Sequence, residues 1–162
     1  MIKQLIKKWL DLEPKPIEVK ILKADALEYY PSYAKPGDSG MDVKFVGLDE
    51  FVDIKPWTRM LIPTGIYVEI PKGYEIQVRP KSGVALTNGV TVLNTPGTID
   101  SSYRGEIGVI LMNLSDRPYR VNRYDKVAQL VLCKVEECKW TPVSVISNTE
   151  RGEGGYGHTG IK

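Results

Sequence analysis

A chain of 162 residues fits one domain, since a chain of this length buries about two thirds of its unfolded surface. Its 22 Lys and Arg against 20 Asp and Glu leave a net charge of +2. That is too little for a duplex-binding basic face, so no nucleic-acid partner is expected and any anion site has to be local.

Ile2, Leu5, Ile6, Trp9 and Leu10 recur at helical spacing, with Lys3, Lys7 and Lys8 on the other side. The pattern predicts an amphipathic helix over 2–12, ended by the prolines at 14 and 16. It reads as a helix docked on the protein's own surface or between subunits, because so short a segment carrying Asp11 and Glu13 makes a poor membrane anchor. No apolar run approaches the ~18 residues of a span, and MIKQLIKKWL lacks the unbroken apolar centre of a secretory signal. The expected location is cytoplasmic, with no membrane partner. Residues 1–16 form this helical extension and its linker.

From Ile17 the texture changes to short alternating segments cut by Pro and Gly. Tyr74, Ile76 and Val78 alternate with Glu75, Gln77 and Arg79, and GIYVEI, EIGVILMNL and KVAQLVLCKV are rich in β-branched residues. Many short strands with turn chemistry such as PKG and TNG predict an all-β domain over 17–147. It should be a jelly-roll-like sandwich or barrel and not a parallel α/β sheet. The spacing of Cys133 and Cys138 matches no common zinc pair or disulfide framework, so they read as reduced thiols. His158 is the only histidine, which excludes the two-histidine zinc helix and a serine triad with its histidine elsewhere.

Residues 148–162 are a glycine-rich arm with too little apolar surface to order itself. Such an end is commonly disordered. Its other residues nevertheless suit a nucleotide lid: Arg151 to fork onto phosphate oxygens, glycine amides to line an anion nest, Thr159 as a hydroxyl donor and Tyr156 as a flat face for a base.

Three further motifs bear chemistry. GTIDSSYRGEI, at 97–107, presents Asp100 between two strand-like runs; a carboxylate is ionised at neutral pH and polarises water without histidine, while Asp beside Gly and Ser also forms turns. RPKSGVA, at 79–85, follows a strand and offers a hydroxyl and backbone amides beside Lys81, either for phosphate or as a strand-to-helix turn. RYDKVAQLV sets Gln129 among apolar residues, where a satisfied strand glutamine and a ligand contact are both open readings.

In this order, PGDSGMDV, RPKSGVA, GTIDSSYRGEI, RYDKVAQLV and RGEGGYGHTG resemble the five motifs of the homotrimeric dUTPases, which cleave dUTP to dUMP and pyrophosphate. The resemblance runs from about Ile17 to Gly160. It implies a distorted jelly-roll fold and an aspartate, here Asp100, that activates the water attacking the α-phosphorus. It places Tyr103 against the deoxyribose, where a 2′-hydroxyl would collide, and a hairpin over roughly Gly89 to Gly97 around uracil, with Asn94 as its side-chain reader. Gly97 and Ile99 fall in this substrate-binding stretch. Lys81, Ser82, Gly83 and Gln129 match the phosphate-binding side, and Asp42 a supporting aspartate. Arg151 and Thr159 would meet the γ-phosphate, Tyr156 would stack on uracil, and Gly157 and His158 complete the lid. Mg2+ would ride on the triphosphate oxygens and water with no direct protein ligand. Three subunits would share each active site.

The match departs at several places. Lys81 stands where arginine is usual, keeping charge without the forked donor, and Arg79 is expected to point the same way. Tyr124 replaces a usual glycine, which makes Asn122 the candidate for the turn's positive φ. Tyr156 takes a phenylalanine position and His158 a serine position; beside the γ-phosphate His158 would strengthen nucleotide binding as pH falls, and otherwise it faces solvent. The competing readings are a dCTP deaminase-like enzyme on the same fold and a non-catalytic nucleotide-binding regulatory protein. Asp100 and the intact arm weigh against the first, and Asp100, Tyr103 and Arg151 against the second.

Overall fold

The computed structural model describes residues 16–21 and 29–156. The helix expected over 2–12 and the lid residues Gly157, His158 and Thr159 lie outside the described residues. Within them the chain forms β1 (Lys20–Ile21), β2 (Met41–Lys44), β3 (Phe51–Ile54), β4 (Arg59–Ile62), β5 (Val68–Glu69) and β6 (Tyr74–Arg79). Then come α1 (Ser82–Asn88), β7 (Val90–Val92), β8 (Gly97–Ile99), β9 (Val109–Asn113), β10 (Tyr119–Asn122) and β11 (Lys126–Lys134).

All pairings are antiparallel. The main sheet runs β2-β11-β6-β8, a second runs β4-β9-β7, and β1-β5 and β10-β3 are two-stranded ribbons. This all-β arrangement follows from the alternation in the sequence. In β6, Ile76 and Val78 are buried while their neighbours reach the surface, and in β9 Val109, Leu111 and Asn113 point inward. Side chains of both larger sheets meet in one core with Phe45, Ile54, Ile62, Ile107 and Leu130. Each fully buried aliphatic side chain in it contributes about 1.5–3 kcal/mol relative to exposure.

Asn113 and Thr64 are the buried polar residues among those described, and Asn113 is fully enclosed. Its Nδ2 donates to the carbonyls of Ile54 (2.9 Å) and Arg117 (2.8 Å), and its Oδ1 accepts from the Ser115 backbone N–H (2.9 Å) and hydroxyl (2.8 Å). With its amide capacity met, Asn113 fixes the β9–β10 turn from inside.

The helix α1 buries none of its side chains, and it stops at Gly89, whose φ of 66° lets its N–H reach Ala85 O at 3.1 Å. The stretch from Gly89 to Gly97 differs from the expected hairpin, because β7 pairs with β9 and β8 with β6. It is a corner that carries the chain from one sheet to the other. The turn before β11 also differs from expectation: the positive φ belongs to Tyr124, at 71°, and not to Asn122. Asn122 stays in register opposite Phe51, and its backbone N–H donates to Asp125 Oδ2 at 2.8 Å, so reversal falls on the residue just before Asp125.

Candidate active site

Asp42 and Gln129 face each other across β2 and β11, and Gln129 faces Arg79 on β6. This register brings the first, second and fourth motifs to one end of the main sheet. Gln129 Nε2 donates to Pro80 O at 3.1 Å, while a Cβ at position 40 would run into Gln129 Oε1, so glycine is what lets the first motif close over it. Lys81 donates to Asp42 Oδ1, and Lys126 lies 2.9 Å from Asp42 Oδ2. Burial opposes ionisation of Asp42, but hydrogen bonds and charge from Lys81 and Lys126 outweigh it and hold the carboxyl below its ordinary value. A cavity of about 320 Å³ opens here between Ser39, Gly40, Asp42 and Gln129.

Ser82 and Gly83 follow at once as the exposed first residues of α1. The helix has no side-chain cap and no acid in its first turn, so its leading amides are left for another acceptor. RPKSGVA is a strand-to-helix turn whose leading residues are exposed. Arg79 does not support Lys81 as expected. Its guanidinium donates to Gln77 Oε1 at 3.0 and 2.6 Å, and the second cation on Asp42 is Lys126, which spacing alone does not single out.

The third motif gathers elsewhere. Tyr103 N–H donates to Asp100 O at 3.1 Å, closing a turn that leaves the Asp100 side chain exposed. Among the described residues its carboxylate takes no hydrogen bond or ion pair. Tyr103 OH donates to Glu106 O at 2.9 Å, and Glu106 Oε1 accepts the amides of Thr64 (2.8 Å) and Gly65 (2.7 Å). Glu106, also unassigned from sequence, thus ties the motif to the loop after β4. A cavity of about 310 Å³ is lined by Ile99, Asp100, Tyr103, Glu106, Leu61 and Ile110. Asn94 Nδ2 stands 3.1 Å from where a Cβ on Gly97 would be, and Val78 Cβ is 3.3 Å away, so a side chain at 97 would press on both neighbours.

These two groups do not meet in one protomer. Ile99 is opposite Ile76, so Asp100 leaves the sheet near the start of β6, whereas Ser82 follows its other end. The strand from Ile76 to Arg79 alone spans roughly 10 Å. Arg151 and Tyr156 are exposed, and among the described residues Arg151 Nε donates to Gly154 O at 2.8 Å.

The antiparallel jelly-roll fold thus carries an exposed carboxylate, a cationic hydroxyl-bearing turn and a glycine-rich segment. Its family is given by comparison with known proteins. The model of the dUTPase family matches residues 29–160, and the chain belongs to that family. The deoxyuridine 5′-triphosphate nucleotidohydrolase of Fusobacterium nucleatum subsp. nucleatum is 47% identical over 146 residues, 90% of this chain and 99% of that protein. Among solved structures, the Staphylococcus bacteriophage 80alpha dUTPase with dUPNHPP superposes with a TM-score of 0.77 at 25% identity, covering 91% of this chain and 100% of that one. A mutant dUTPase from phage phi11 of S. aureus, described with a structural Mg(II) ion, has the same fold, with a TM-score of 0.69 at 23% identity over 83% of this chain and 100% of that one.

Proposed function

We propose that this chain hydrolyses dUTP to dUMP and pyrophosphate, keeping uracil out of DNA and supplying dUMP. In this reading Asp100 is the general base that directs water at the α-phosphorus. The observation that carries it is the exposed Asp100 carboxylate, without a partner among the described residues, beside Tyr103 and Ile99 in a chain of the dUTPase family. A positioned carboxylate of this kind contributes about 10²–10⁴-fold by taking the water's proton as the oxygen attacks.

Tyr103, held by Glu106, is the wall against which a 2′-hydroxyl collides, and the corner at Asn94 and Gly97 reads uracil. A site that pairs buried polar groups with a base rejects the wrong one by as much as ~10⁴-fold. Lys81, Ser82, Gly83 and Gln129 bind the phosphates. Arg151, Tyr156, Gly157, His158 and Thr159 close as the lid, formed by the arm over 148–162. Ordering that arm costs about 2–5 kcal/mol, so it commits bound substrate and excludes water more than it adds affinity.

The separation of Asp100 from Ser82 supports the homotrimer. A base and a phosphate contact each act within ~3 Å of their target, and the separation along β6 accords with groups drawn from different copies. Sites shared between three copies bring the groups together, and the arm then reaches a neighbour. Mg2+ is proposed as a phosphate-borne ion, since it keeps its water and prefers phosphate oxygens to an all-protein cage. When bound it would neutralise triphosphate charge. Free Cys133 and Cys138 accord with a cytoplasmic enzyme.

The test is pyrophosphate release from dUTP, dTTP, dCTP and UTP with magnesium, by the parent and an Asp100→Asn variant. dUTP should be the preferred substrate, with turnover about 10²–10⁴-fold lower in the variant. Ammonia from dCTP would replace this reading with a deaminase, and an asparagine variant as fast as the parent would remove Asp100 from the chemistry.

A further inference from the structure

Residues 103–108 belong to no strand or helix, so hydrogen bonds from outside a regular ladder have to place Tyr103. The turn before it is closed on itself. Tyr103 N–H donates to Asp100 O at 3.1 Å, and Arg104 Nη1 donates to Ser101 O (2.8 Å) and Tyr103 O (2.7 Å). Those bonds shape the turn without tying it to either sheet. The Tyr103 ring lies against the backbone of Gly105, where a Cβ would run into it, and its hydroxyl donates to Glu106 O at 2.9 Å.

Glu106 is held in turn by its own side chain. Its Oε1 accepts the successive amides of Thr64 (2.8 Å) and Gly65 (2.7 Å), and the φ of 67° at Gly65 is the left-handed step that aims neighbouring amides at one anion. That cradle is fixed to the core. Thr64 is 1% exposed, its hydroxyl donates to Ile107 O at 2.6 Å, and Ile107 N–H donates to Ile66 O at 2.8 Å. A connected path therefore runs from the core through the Glu106 carboxylate to the Tyr103 hydroxyl, and Glu106, Tyr103 and Asp100 line one cavity.

We propose that Glu106 is a positioning residue that sets the discrimination between deoxyribose and ribose, by keeping the Tyr103 ring from yielding to a 2′-hydroxyl. The inference rests on the dUTP reading of the same site and deepens it. An apolar surface rejects one added hydroxyl only weakly when it can give way, so selectivity depends on how firmly the ring is held.

The experiment measures kcat/KM for dUTP and for UTP in five forms: the parent, Glu106→Ala, Glu106→Gln, Tyr103→Phe, and Tyr103→Phe with Glu106→Ala. The readout is the dUTP-to-UTP ratio, because a loss of stability or a shift of Asp100 lowers both nucleotides together and cancels. Losing one link of the path should lower that ratio about 3- to 10-fold in Glu106→Ala and in Tyr103→Phe. Glutamine keeps an oxygen for the two amides, so Glu106→Gln should stay within about twofold of the parent. The double variant should lose no more than about twofold beyond Tyr103→Phe, since both changes cut the same path. A parental ratio in Tyr103→Phe would overturn the inference even if Glu106→Ala does not fold; so would a parental ratio in Glu106→Ala, a Glu106→Gln as impaired as the alanine variant, or additive losses in the double. A parent that releases no pyrophosphate from dUTP sinks the functional reading and this inference with it, whereas an active parent whose variants keep its ratio sinks the inference alone.

Discussion

Tyr29 and Tyr124 stack face on face, with ring centroids 4.4 Å apart and planes 4° from parallel. Lys44 Nζ stands 5.7 Å from the Tyr29 ring centre. The contact sits on a residue that the backbone would otherwise disfavour, since Tyr124 has a φ of 71° and a left-handed L-residue costs roughly 1–2 kcal/mol. An aromatic pair offsets much of that, contributing about 0.5–1.5 kcal/mol beyond area burial.

Replacing Tyr124 by glycine loses the stack but relieves the strain, while alanine loses the stack and keeps the strain. Tyr124→Gly should therefore lie within about 1 kcal/mol of the parent, and Tyr124→Ala should fall about 1–2 kcal/mol below it. Urea midpoints at constant slope measure both. Equal stability of the two variants would show that the turn is not strained at this residue.

What the sequence made legible follows from the range over which its signals act. The alternation of Ile76 and Val78 is local, and it located β6 and an all-β class. Gln129 was assigned through the motif RYDKVAQLV; Lys126 lies in the same motif, but its place on the face of Asp42 depends on a one-residue bulge set by the partner strand. Tyr124 escaped for a related reason: residue type pointed to Asn122, but pairing with Phe51 held Asn122 in the strand. The gap between Asp100 and Ser82 was invisible too, because nothing in their order along the chain says that they leave opposite ends of one strand.

That gap makes a prediction about assembly. If each site takes Asp100 from one copy and the arm from another, two inactive variants can complement each other. Asp100→Asn and Arg151→Ala, each nearly inactive alone, should regain activity when unfolded together and refolded as an equal mixture. Random assembly gives about a quarter of the sites both intact residues, so about a quarter of parental turnover is expected for closed, heterologous rings. Pyrophosphate release from the mixture, compared with each variant refolded alone, measures it. A mixture no more active than the mean of its parts would mean that Asp100 and Arg151 of one copy serve the same site.

The lowered pKa of Asp42 sets the acid response of the same region. A carboxyl whose folded value is depressed contributes stability that is fully present above its unfolded value, near ~4, and is lost as pH falls through the folded value below that. Asp42→Asn should cost about 1 kcal/mol at pH 7, since Lys126 is half exposed and solvent screens its share. The difference between parent and variant should hold from pH 7 to 5, shrink below about pH 4, and narrow in 1 M salt, where screening acts within about 3 Å. Urea midpoints of both proteins at pH 7, 5, 4 and 3 provide the measurement. A difference that persists unchanged at pH 3 would mean that the two lysines do not stabilise the ionised carboxylate, because below its unfolded value the unfolded chain takes up a proton at position 42 and a depressed folded value makes the difference shrink.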